Sequence, residues 1–293
     1  MAAHSIRLLL HNALDYAGLF PPAELSMAEA VRNYAQYRSD QNAWALGRFI
    51  VPVARLKEFA REAAPLANDG VWKVSALGGP NLSLEQKIIA EFNSLHIGRL
   101  VIDTLEVKAT TVEEIRAAVL QAAFPLHLFV EIPIGDDPTP LIAALAEKKH
   151  RAKMRTGGMT PEAIPHTQHV ARFIIACVRA RVPFKATAGL HHPLRAMYHL
   201  TYKPNGPTGR MHGHLSVLLA AAFARQGMSL DLLIEVLEEE AADALEFEDT
   251  GVRWRGHWLG NDALREAREH TMLAFGSCSF REPIDDLIRL KML

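Results

Sequence analysis

Strand-like and helix-like stretches alternate along almost the whole chain, and that order restricts the fold more than any other feature. SMAEAVRNYAQYR opens with Ser26 at an N-cap position and Glu29 at capping-box spacing, and it follows the short apolar run DYAGLFPPA. The pattern then repeats: RFIVPV precedes RLKEFAREAAPLA, WKVSALGG precedes SLEQKIIAEFNSL, RLVIDTLEV precedes TVEEIRAAVLQAA, and HLFVEIPIG precedes PTPLIAALAEKK. The sixth and seventh strands are HRAKMRTGG and VPFKATAGL, separated by a helix near HTQHVARFIIACVRAR, and LAFGSCSF with EPIDDLIRL closes the series. Strands joined by helices of this length lie parallel, with right-handed crossovers. Eight such units predict an α/β fold, a (β/α)8 TIM barrel, with a doubly wound sheet as the competing arrangement. No compositional shift or Pro/Gly/Ser-rich linker divides the chain, so residues 1–293 read as one domain. The regularity breaks near Phe247, where EFEDTGVRWRG reads as a hairpin inserted before the last strand and decorating the barrel mouth or rim.

Charge excludes several partners. The 32 basic and 33 acidic residues leave a formal charge of −1, which exerts no pull toward nucleic acid or an anionic membrane. No apolar run is long enough to span a bilayer, and IRLLLHNAL is too short and interrupted for a signal-peptide core. Two cysteines, Cys177 and Cys278, are too few for a disulfide framework and suit a reducing cytoplasm. The expected partner is therefore a small molecule. Trp254, Arg253 and Arg255 form a basic aromatic patch on the hairpin, for which contact with a second copy in a homo-oligomer is the plainest use.

Side chains alternate faces along a strand, so the polar residues pointing into the barrel follow from parity. They are Asp15 near the first strand, Ser75 in the third, Asp103 in the fourth, Glu131 in the fifth, Lys153 and Arg155 in the sixth, and Lys185 and Thr187 in the seventh. Ser277 and Ser279 lie in the eighth. Buried charges are costly unless they meet, so these groups should converge where barrel enzymes keep their sites, at the C-terminal strand ends. Two ammonium groups and a guanidinium crowded together would lower a lysine pKa and make an amine nucleophilic. Asp103 or Glu131 would then move protons on and off the reacting atoms.

The sixth-strand KMRTG resembles the K-x-x-T-G of deoxyribose-phosphate aldolases, class I aldolases built on the β/α barrel, in which that lysine forms the Schiff base. FKATAG resembles the seventh strand of the family, whose lysine perturbs the first, and FGSCS is similar to the F-G-A-S-S that holds substrate phosphate. The resemblance covers short motifs in the C-terminal half. It implies Lys153 as the Schiff-base lysine, Lys185 as its pKa partner, Asp103 as proton shuttle, and Gly276, Ser277 and Ser279 at an anionic end. Arg155 departs from it, placing a cation where the family has a small residue, suited to a carboxylate or phosphate. After Gly189, LHHPLR replaces the family's second glycine and short loop, bringing His191 and His192 to the mouth.

Two other readings stand beside this one. Among fourteen histidines, His191, His192, His212 and His214, with Asp103 or Glu131, form a candidate N/O ligand set for a divalent metal in a metal-dependent lyase or hydrolase. The aldolase reading itself needs no cofactor. A non-catalytic barrel that binds a small anion is the third. The stretch from His191 to Met211, rich in Gly and Pro, reads as a long loop able to act as a lid carrying Arg210 or His212.

Overall fold

In the computed structural model, which describes residues 2–79, 81–121, 126–135 and 137–293, eight parallel strands close into a barrel. They are β1 (Leu14–Tyr16), β2 (Leu46–Pro52), β3 (Trp72–Leu77), β4 (Leu100–Lys108), β5 (His127–Glu131), β6 (Arg151–Arg155), β7 (Phe184–Thr187) and, last in the chain, β13 (Met272–Ser277). Neighbours run in chain order from β2 to β7, and β13 fits between β7 and β1 to complete the ring. A helix follows each strand, from Met27–Arg38 after β1 to Arg281–Arg289 after β13. The TIM-barrel expectation holds. The helix read over 111–123 is described as far as Gln121, and its last two residues lie outside the described part.

Each level of the sequence pattern has a physical counterpart. Ser26 accepts the Glu29 backbone N–H while the Glu29 carboxylate takes the Ser26 N–H, so both ends of the capping box are made and the first barrel helix starts there. Ala152, Met154, Phe184 and Ala186 alternate with the lysines, are fully buried, and pack against the helix layer. The barrel interior is polar at mid-height, where Lys153 pairs in register with Lys185.

Strand β4 breaks the alternation. Its pairing with β3 runs Val74 to Ile102 and then Ser75 to Thr104, which leaves Asp103 as a bulge. The extra residue reverses the parity of everything after it.

The insertion differs from the expectation in strand number and place. It is a three-stranded antiparallel sheet, β10 (Leu245–Glu248), β11 (Gly251–Trp254) and β12 (His257–Gly260), because HWLG adds a strand after the hairpin. It packs on the helices His4–Leu10 and Asn261–His270. Residues of the first helix border a cleft with Leu46, Arg48 and Lys73, at the N-terminal ends of β2 and β3, so the insertion sits at the barrel end opposite the mouth. Nor is Trp254 part of a surface patch: it is buried, its indole N–H donates to Glu239 Oε2 at 2.9 Å, and Arg255 Nε reaches the same oxygen at 2.6 Å.

The stretch read as a loop after β7 contains a second hairpin, β8 (Ala196–His199) paired with β9 (Thr208–Met211). Arg210 is turned to Glu240, and His212 Nε2 donates to Pro165 O at 2.9 Å, so neither is presented to the mouth as a lid residue. Among the described residues no helix is long and apolar enough to cross a membrane.

Candidate active site

The sixth and seventh strands bring their lysines together as parity requires, but carboxylates rather than other cations are their nearest neighbours. Lys185 Nζ lies 2.5 Å from Asp15 Oδ2 and 2.8 Å from Glu106 Oε1. Lys153 Nζ lies 2.7 Å from Glu106 Oε2 and 2.9 Å from Glu131 Oε2. Glu106 thus takes one ammonium on each oxygen, and Ser75 Oγ donates to Oε1 at 2.5 Å. Asp15 also accepts the Arg48 backbone N–H at 2.8 Å, and Arg155 Nε approaches Glu131 Oε1 at 3.3 Å. Lys153, Lys185 and Arg155 are matched by Asp15, Glu106 and Glu131, which is the arrangement that makes buried ions tolerable.

For Lys185 the balance runs toward the cation. Burial alone would favour loss of the Lys185 proton, but Asp15 and Glu106 outweigh it and its pKa rises above the ordinary lysine value. Burial likewise opposes ionisation of Glu106, yet the two ammonium groups hold its carboxyl well below the usual range. Glu131 is also depressed, with Lys153 and Arg155 overcoming the cost of burial. Phe129 supports the layer, its ring centroid 5.6 Å from Lys185 Nζ and 5.4 Å from the Arg151 guanidinium.

Glu106 was not singled out by sequence, and Asp103 stood in its place. Counting alternately from Asp103 puts Glu106 outside, and the bulge turns it in. Asp103 itself is not beside the lysines. It lies toward the N-terminal end, clamped by Arg48 Nε at 2.6 Å and Nη2 at 2.8 Å, and despite burial these contacts keep its carboxyl ionised below its ordinary pKa. A second carboxylate in the apolar run IDTLEV was the one available hint.

Above the network a cavity of about 260 Å³ opens at the C-terminal strand ends. Lys153, Glu106, Arg155, Thr187 and Gly276 line it, together with Phe20, Ile50 and Leu200. Lys185 is 1 % exposed and Lys153 6 %, and of the two Lys153 borders the cavity. The glycines ending the two lysine motifs are needed for contact between the loops after β6 and β7. A Cβ on Gly157 would come within 2.9 Å of Gly189 Cα, and Gly189 itself has φ +76°. Thr156 Oγ1 locks the same junction by donating to Ala188 O at 2.6 Å.

The other expected residues are engaged differently. Ser277 Oγ accepts the Ser279 N–H at 3.3 Å, and Ser279 Oγ accepts the Glu282 N–H at 3.1 Å, so both hydroxyls shape the entry to the last helix. Where the resemblance puts an anionic group, the wall instead carries Cys278 and Glu282. The four candidate histidine ligands do not share one centre. His192 Nδ1 contacts Asp286 Oδ2 at 2.6 Å and its ring stacks on Tyr198 at 3.6 Å. His212 is tied to Pro165, and His214 is buried flat against Phe275. His191 is the exception, its Nδ1 2.9 Å from Glu282 Oε2. Burial would favour its neutral form, but Cys278 and Glu282 raise its pKa to about 10.

The fold and site define a parallel (β/α)8 barrel with a charge-balanced lysine–carboxylate network under a cavity at its C-terminal face. Compared with known proteins, the chain matches no family model, no curated protein and no solved structure.

Proposed function

We propose that the protein is a Schiff-base-forming lyase of the aldolase type, acting on a small anionic carbonyl compound, with Lys153 as nucleophile. The observation that carries this reading is an asymmetry: Lys153 borders the cavity and touches two carboxylates, while Lys185 is sealed beneath and held as a cation. An attacking amine must first lose a proton, and Glu106, 2.7 Å away, is placed to take it.

The neutral amine adds to the substrate carbonyl carbon, and the resulting carbinolamine loses its hydroxyl as water with the proton returned by Glu106. The iminium that forms draws the electron pair of the neighbouring C–C bond as it breaks, while the restored Glu106 carboxylate takes the proton of the β-hydroxyl, releasing a second carbonyl compound and leaving an enamine that this proton later reaches. Protonation at carbon and hydrolysis free the product and restore Lys153. Arg155, exposed at the cavity wall, supplies a planar pair of donors for a substrate carboxylate or phosphate.

Borohydride reduction in the presence of small aldehydes and 2-keto acids, followed by peptide mass mapping, tests the reading. A stable adduct on Lys153 is expected. An adduct on Lys185 would move the nucleophile, and no adduct across the panel would overturn the lyase in favour of a barrel that only binds small anions.

A further inference from the structure

We propose that His191, Cys278 and Glu282 form a binding site for one divalent transition-metal ion of the zinc class, at the wall of the cavity and separate from the lysine network. Three different segments deliver these ligands: the loop after β7, the residue following β13, and the first turn of the helix Arg281–Arg289. Among the described residues they are the one group of three or more His, Cys, Asp or Glu side chains whose donor atoms all lie within 4.8 Å of one another.

The three donors lie within reach of one centre rather than in line as a proton relay would set them. In a thiol–imidazole–carboxylate relay the thiol faces one ring nitrogen and the carboxylate the other. Here Glu282 Oε2 approaches Nδ1 at 2.9 Å, while Cys278 Sγ lies 3.8 Å from Nδ1 and 3.9 Å from Nε2, so the sulfur faces neither ring nitrogen alone. Tyr202, near the turn of the β8–β9 hairpin, adds a fourth donor, its hydroxyl oxygen 2.8 Å from Glu282 Oε2 and 3.5 Å from Cys278 Sγ. Ligand bonds of about 2.0 Å to N or O and about 2.3 Å to S in a tetrahedron give donor separations of roughly 3.3–3.5 Å, and these contacts bracket that range.

The donor chemistry agrees. A divalent ion would displace the imidazole and thiol protons, and one thiolate, one carboxylate and one neutral imidazole then cancel its charge, which suits a wall where His191 and Cys278 are both buried. A mixed S, N, O set in tetrahedral array favours zinc over magnesium or calcium, which prefer oxygen ligands. With three protein ligands and Tyr202 at the fourth position, the ion would tie the hairpin to the barrel and face the cavity.

The test loads chelator-stripped full-length protein with zinc or cobalt(II) and measures metal content, absorption and thermal unfolding. About one equivalent of zinc per chain is expected, with a raised Tm. The cobalt form should show a near-ultraviolet thiolate-to-metal band, which C278S abolishes. Cys177 is fully buried elsewhere, so the band reports Cys278. E282Q should weaken zinc binding roughly tenfold or more, while Y202F, altering the fourth position, retains the ion. No bound metal in the wild type, or a cobalt spectrum unchanged by C278S, would overturn the site, and unfolding of each metal-free variant separates lost ligation from lost fold. The Lys153 adduct is scored on metal-free protein, so this site and the lyase reading fail independently.

Discussion

Lys153 and Lys185 are Cα partners on adjacent parallel strands, yet their ammonium groups are held apart in function by one side chain, Glu106, which takes each on a different carboxylate oxygen. Glu106 is therefore both the electrostatic centre of the barrel and the group best placed to accept the Lys153 proton. In E106Q two buried ammonium groups lose their shared counter-charge, a change costing about 3–5 kcal/mol of stability. Without the group that takes the Lys153 proton and returns it for loss of water, borohydride trapping on Lys153 should slow markedly. Turnover should fall with it, by roughly 10²–10⁴, for want of the proton carrier. Unchanged trapping and turnover in a variant that remains folded would remove Glu106 from that role.

Arg155 differs from the lysines in exposure. Its side chain is 48 % exposed and its contact with Glu131 is 3.3 Å, so the pair contributes about 0–1 kcal/mol and R155A should unfold close to the wild-type temperature. If the guanidinium grips the substrate's anionic group, R155A raises KM by roughly tenfold or more, with a smaller change in kcat. R155K should rescue this poorly, because an ammonium does not offer the two parallel donors of a guanidinium. Steady-state kinetics on an anionic substrate and its uncharged analogue measure both effects.

The barrel was legible because strand-helix alternation repeats across nearly the full length, and Lys153, Lys185, Arg155 and Thr187 were placed correctly because β6 and β7 keep a regular pleat. Glu106 was hidden by the bulge at Asp103, a local event that simple alternation does not encode. Asp15 sits in a strand of only three residues, and its pairing with Lys185 joins positions 170 apart in the chain, beyond the reach of local pattern. Which cations and carboxylates meet depends on barrel closure, so the carboxylates that hold Lys185 as a cation were not legible. The short hairpin β8–β9 and the extra strand β12 have four residues each, too few for periodicity to declare them. Cys278 and His191, 87 residues apart, could be associated only through the closure of β13 onto β7.

The glycines after the two lysine strands yield a prediction about the scaffold. Gly189 has φ +76°, and an added Cβ would approach Gly157 Cα at 3.1 Å and Thr156 O at 3.3 Å, both backbone atoms. G189A combines left-handed strain with a crowded junction and should lower stability by about 1–3 kcal/mol. Because the junction fixes the cavity wall beside Arg155 and Thr187, KM should rise as well. Denaturant unfolding would measure the first effect, and an unchanged midpoint would show that the loops can separate without cost.

His214 makes the protein acid-sensitive for a reason unrelated to the carboxylates. Its ring stacks on Phe275 with centroids 4.9 Å apart and planes 4° from parallel, and among the described residues neither ring nitrogen has a hydrogen-bond partner. Burial, reinforced by His192 and His191, lowers its pKa to about 3. A histidine depressed on folding contributes stability fully above its unfolded pKa of about 6.5, and loses it as pH falls toward the folded value. Each pH unit in that window costs about 1.4 kcal/mol, until His214 is protonated in the folded state too. H214F keeps the stacked ring and removes the titration. Its unfolding free energy, measured against wild type between about pH 6.5 and 4.5, should improve by one proton's worth of slope as pH falls. That interval lies above the ordinary carboxylate pKa values, so the difference isolates the imidazole. Parallel stability curves for the two proteins would mean that His214 finds a partner or water when protonated.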